Sequence, residues 1–164
     1  MAAGNSSFQP SKLEADNHVQ QTLINVLLDG GGLAEVIEEL AGLIGQPVVL
    51  INIEGVILAG QLPPPAQAAF AGFIRWLIGR RRRAEVSLPE RAADFGLHLT
   101  PLVVQREIKA LIVAEAPPAG SDIATDTLEQ GAVIATLALI KHQAVHEAEQ
   151  RRRRDILEEF LTAE

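Results

Sequence analysis

The sequence predicts an α+β domain with a mostly antiparallel sheet. Three observations carry that prediction. The spacing of apolar residues changes along the chain in the order α-α-β-β-α-β-β-β-α. Ala110–Val113 is apolar at every position, so that strand needs cover on both of its faces, helices on one and a crossover segment on the other. Finally, Ile123–Ala163 contains no helix breaker except Gly131, an interior glycine that costs only ~1 kcal/mol. At 1.5 Å per residue that stretch makes a helix of about 60 Å. A domain of this size is only about 30–35 Å across, so the helix must project, bend or pair with something.

Each element has its own local signal. Residues 1–10 read as a loose lead-in. Ser11 and Glu14 form an S-x-x-E capping box, whose side chains satisfy free backbone N–H groups at a helix start. Val19, Leu23, Val26 and Leu27 follow at helical spacing, and Gly30–Gly32 ends that helix. Leu33, Val36, Ile37, Leu40 and Ile44 make the apolar face of a second helix, with Glu35, Glu38 and Glu39 mostly opposite and Gly45 as its stop. Pro47–Ile53 is β-branched enough for a strand, Glu54-Gly55 signals a tight turn, and Val56–Ala59 is the antiparallel partner.

Pro63–Pro65 break the chain and suit the first turn of a helix. Its stripe runs through Ala66, Phe70, Phe73, Ile74 and Leu77 to an end near Gly79. Ala84–Leu88 is expected as a short strand. Phe95–Val104 and Glu107–Glu115 are expected as a hairpin turning at Gln105-Arg106. Pro117, Pro118 and Gly120 close this region, and Ser121 or Asp122 caps the long final helix.

Composition bounds the function. One domain fits 164 residues, and 48% apolar residues suffice for a core. With one Trp and no Tyr, that core must be chiefly Leu, Ile, Val and Ala. Net charge is −7, although eight arginines are concentrated in Arg80–Arg83 and Arg151–Arg154. The rest of the chain is therefore acidic, which argues against nonspecific nucleic-acid binding by the whole surface. The absence of cysteine excludes disulfides, thiol catalysis, Cys-ligated zinc and thioether-linked chromophores, and it fits a cytoplasmic location. The first residues lack the pattern of a secretory signal. The longest strongly apolar stretch, Gly131–Ile140, is about half of what a membrane span needs.

Three segments carry a resemblance: LLDGGGLAEVIEELAGLIGQPVVLINIEGVILA (27–59), HLTPLVVQREIKALIVAE (98–115) and LEQGAVIATLALIKHQAVHEAEQRRRRDILEEFL (128–161). Together they resemble the GAF family of small-molecule sensor domains, in the form found at the N-terminus of PucR/CdaR-type bacterial transcription regulators. The resemblance implies a GAF-like five-stranded sheet in the order 2-1-5-4-3, with the N- and C-terminal helices on one face forming a dimer seam. It implies a ligand pocket on the other face, under the crossover helix and loop of Pro63–Arg83. It also implies that the arginine-rich helix leads to a DNA-binding helix-turn-helix domain, a pattern this sequence does not contain. The expected division is a lead-in over 1–10, a sensor domain over 11–145 and an exit helix over 146–164.

Placement supplies the ligand candidates. Asn52 is polar in an apolar strand, and His98 and Thr100 share a strand face. Phe70, Phe73 and Trp76 lie on the crossover helix, and Arg91 in the loop after it. Arg91 or Arg75 suits a carboxylate or ureide effector, because guanidinium pairs bidentately with planar acceptors. Leu128, Ala135, Leu139, Val145, Ile156 and Phe160 are spaced as the seam of a dimerising, signal-transmitting helix. Arg151–Arg154 can pair with Glu147, Glu149, Glu158 or Glu159 and so set its register.

Other motifs are weaker. His142 and His146 stand four apart as zinc ligands would, but HQAVH lacks the glutamate of a metalloprotease helix. Gly30–Gly32 follows a helix and lacks G-K-[ST], so it is not a phosphate loop. No catalytic set, metal site or cofactor motif is evident. The expectation is a cytoplasmic, homodimeric sensor of an unknown small metabolite, reaching DNA only through a domain absent from this chain and not touching membrane. The alternative is a ligand-free dimerisation scaffold, its pocket plugged by Phe70, Phe73 and Trp76.

Overall fold

The computed structural model describes residues 10–79, 88–116 and 122–163. They form an α+β domain of five helices and one antiparallel sheet of four strands. In chain order these are α1 (Pro10–Leu28), α2 (Leu33–Ile44), β1 (Val48–Asn52), β2 (Ile57–Gly60), α3 (Pro64–Gly79), α4 (Leu88–Asp94), β3 (Leu97–Val104), β4 (Glu107–Glu115) and α5 (Asp122–Thr162). The strand order is β2-β1-β4-β3. The expected strand at Ala84–Leu88 lies outside the described residues apart from Leu88, which opens α4 instead. Pro89 suits the first turn of that short helix. Helix α1 starts at Pro10, which places Ser11 inside the helix rather than before it.

The pleat of β1, β3 and β4 divides the core into two. Val48, Leu50, Leu102, Ala110, Ile112 and Ala114 point to one face, where they meet α1, α2 and α5 through Leu23, Val36, Leu40, Leu128 and Ala135. Val49, Ile51, Leu97, Leu99, Leu111 and Val113 point to the other, under α3 and α4. Strand β4 is thus apolar on both sides because both sides are covered.

Two glycines are required by their surroundings. Gly131 lies where α5 crosses α2, and a Cβ there would sit 2.5 Å from Leu40 Cδ1, so any larger residue would have to displace the buried Leu40 side chain. Gly55 takes φ 85° in the turn between β1 and β2, with Ile74 and Ile78 of α3 close beside it. The β3–β4 turn meets the same demand without glycine. Gln105 and Arg106 both have positive φ (52° and 66°), the pattern of a two-residue type I′ turn.

Helix α5 is continuous for 41 residues. Its last deeply buried residue is Leu139, and every described residue from Ile140 onward is exposed. The second half of the helix projects from the domain as an uncovered rod.

Candidate functional site

The pleat also separates the residues expected to share one pocket. His98 pairs with Ala114, Thr100 with Ile112 and Asn52 with Ala110. Paired residues in an antiparallel sheet project to the same side, so all three belong to the α5 face. Phe70, Phe73, Trp76 and Arg91 belong to the α3 face. The strand spacing placed His98 beside Thr100 correctly, but not on the side of the aromatic residues.

Among the described residues, the α3 face carries a packed aromatic cluster. Phe73 is fully buried, stacks on Trp76 with ring centroids 5.9 Å apart, and meets Phe95 edge-on at 6.0 Å. Arg91 covers this cluster, its guanidinium carbon 5.7 Å from the Trp76 ring centre and 5.5 Å from that of Phe95. Its Nη1 donates to Asp94 Oδ2 at 3.2 Å, while its Nε is buried without a partner. Arg91 stands on α4 and not in a loop, so its orientation is set by one helical turn shared with Asp94. Each cation–π contact contributes roughly 0.5–1 kcal/mol. Beside Phe70 the described residues enclose a cavity of about 170 Å³, walled by Val49, Ile57, Leu62 and Gln67. That is below the usual size of roughly 300 Å³ for a small-molecule site. Phe95, which closes the aromatic cluster, reads in the sequence as the first residue of a strand and gives no sign of this role.

Asn52 is a structural residue. Its Oδ1 accepts hydrogen bonds from the backbone N–H groups of Glu54 (3.0 Å) and Val56 (2.9 Å), which shapes the β1–β2 turn. That oxygen is committed to the turn and not offered to a ligand.

The α5 face keeps an open groove of about 570 Å³ between β3 and α5. His98, Thr100 and Val103 line one wall, and Glu129, Val133, Thr136 and Leu137 the other. Thr100 is 6% exposed and its Oγ1 is buried with no hydrogen-bond partner. Burial holds the pKa of His98 below its ordinary value, against the opposing pull of the nearby Glu129 carboxylate. A second surface hollow of about 680 Å³ lies between α2 and the β1–β2 hairpin, lined mainly by small and apolar residues with Glu38 and two glutamines, Gln46 and Gln61.

The seam expected on the final helix also divides. Leu128, Ala135 and Leu139 are at most 2% exposed and belong to the domain's own core. They hold α5 against the sheet and are not free for a second copy. Val145, Ile156 and Phe160 are exposed, as are Leu157 and Leu161. A stripe that the spacing analysis passed over lies opposite the core: Val133, Leu137, Ile140, Ala144 and Ala148, all exposed. Its i, i+4, i+7, i+11 spacing was readable in the sequence, but the larger residues of the core face dominated the pattern.

Arg151–Arg154 are exposed around the rod, and among the described residues no ion pair joins them to Glu147, Glu149, Glu158 or Glu159. Arg80–Arg83, the end of the expected crossover loop, lie outside the described residues. His146 Nε2 is 3.1 Å from Gln150 Nε2 on the next turn. Among the described residues no helix is long and apolar enough to cross a membrane. No protein-family model matches the chain, and no curated protein matches it.

Proposed function

We propose that this chain is a dimerising signal-transmission module whose output passes along α5. The uncovered stripe Val133–Leu137–Ile140–Ala144–Ala148 is the observation that carries the reading. Two copies related by a twofold axis would bury this stripe against itself, as helices with a repeating apolar edge do. The alanines at its far end permit close approach of two helix backbones. The rod beyond Ala148 would then extend as a pair, and any change in the domain's hold on Leu128, Ala135 and Leu139 would reach it as a change in helix position. The resemblance to sensor regulators supports the same direction of output, toward a DNA-binding domain on the rod side and without catalysis in the module itself.

The ring contacts of Phe73 with Trp76 and Phe95 favour the scaffold form of this reading on the α3 side of the sheet. Light scattering tests the dimer. The wild-type chain is expected at twice the monomer mass, and Ile140→Glu with Ala144→Glu at the monomer mass, still folded, with a melting temperature that no longer rises with protein concentration. A wild-type monomer at high concentration defeats the proposal.

A further inference from the structure

We propose that the groove between β3 and α5 binds a small organic amine, gripping its ammonium group and a short hydrocarbon tail. The inference deepens the transmission reading, because the site lies directly against the transmitting helix. The first support is shape. At about 570 Å³ the groove is within the range of small-molecule sites, and Val103, Val133 and Leu137 give it an apolar rim.

The second support is an unpaired polar group. Buried hydroxyls are nearly always hydrogen-bonded, yet Thr100 Oγ1 is closed off from water and has no partner. A donor entering beside Thr100 would satisfy it. The third support is charge. Glu129 is the charged residue of the lining, and neither Lys nor Arg contributes to it. A carboxylate or phosphate would find no cation there and would face Glu129. An ammonium group entering the groove would donate to the Glu129 carboxylate, and to Thr100 Oγ1 once the side chains closing over it give way, while its tail lies on Val103, clear of the Val133–Leu137 edge that a second copy would cover. His98 beside it is disposed to stay neutral, so it does not repel the incoming cation. The carboxylate or ureide expected at Arg91 is thereby replaced by a ligand of the opposite polarity on the opposite face.

Occupancy bears on output by contact. Ala132, Val133, Thr136 and Leu137 of α5 form one wall, so a bound amine braces the helix against β3. The bias it exerts is limited to its difference in affinity between the two helix positions.

The test is a titration of the whole chain with butylamine, followed by amide shifts in ¹H–¹⁵N correlation spectra, with butyrate as the control of opposite charge. Butylamine is expected to move signals from 98–103 and 129–137 in a saturable way, and butyrate is not. Glu129→Gln and Thr100→Val should each weaken binding about tenfold, the scale of a lost charge-assisted hydrogen bond. Thr100→Val removes an unsatisfied hydroxyl, so it should melt no lower than wild type, which separates lost binding from lost folding. Shifts that are absent, equal for butyrate, or indifferent to both substitutions overturn the site. Binding seen only in the monomeric variant carrying Ile140→Glu with Ala144→Glu also overturns it, since a second copy would then be the groove's occupant. Light scattering on the same samples shows whether the dimer stands when the site fails, or fails on its own.

Discussion

The two faces of the sheet are packed with different materials. The α3 face gathers Phe70, Phe73, Trp76 and Phe95, four of the chain's six aromatic side chains. Among the described residues, the α5 face has a core of Leu, Ile, Val and Ala with no aromatic ring. Rings fill volume with few side chains and close the space above the sheet. Aliphatic side chains, helped by Gly131, bring three helices close but leave a groove where α5 draws away from the edge strand β3. A face rich in aromatic residues is easily mistaken for a pocket lining, when here the rings are themselves the contents.

That contrast can be broken by substitution. Phe73→Ala should have the largest effect, a loss of about 3–5 kcal/mol in denaturant unfolding, because it leaves a ring-sized void between Trp76 and Phe95. If it costs under about 1 kcal/mol, the α3 face is loosely packed and the expected pocket is open after all. Arg91→Ala should cost about 1–2 kcal/mol by uncovering both rings. Arg91→Lys should recover only part of this, since an ammonium group cannot lie flat between them. Equal stability of the Ala and Lys variants with wild type would make Arg91 a bystander.

The smallest effect sharpens the comparison on the α5 side and is read against pH. Burial lowers the folded pKa of His98 from its ordinary value of 6.5, so the unfolded chain takes up its proton first as pH falls. The stability tied to neutral His98 is complete above pH 6.5 and declines as pH drops from there through the folded pKa. Glu129, the charge that acts on the ring, opposes the decline. His98→Gln should flatten this part of the pH–stability curve; a wild-type curve already flat there would place the ring in water.

Much of the fold was legible because its signals are local. The glycine stops of α1 and α2, the continuous apolar run of β4 and the unbroken run of α5 all depend on near neighbours in sequence. Helix α4 was not legible, because Leu88–Asp94 is too short for a periodic signal and follows a run of arginines. The site was only half legible. Choosing polar residues within apolar strands selected His98 and Thr100, which line the groove beside α5, and equally Asn52, whose side chain serves a turn. Which face a strand residue joins depends on what packs above it, and that information lies dozens of residues away. Glu129 shows the difficulty: an acidic residue on a helix gives no hint in sequence that it stands opposite His98.

The rod of α5 carries two greasy edges at different heights. The edge ending at Ala148 and the cluster Ile156, Leu157, Phe160 and Leu161 are roughly half a helical turn apart in azimuth. Two rods joined along the upper edge, if they stay straight, therefore turn their phenylalanines away from each other, one to either side. Such a pair, if formed, would present two apolar heads facing opposite ways.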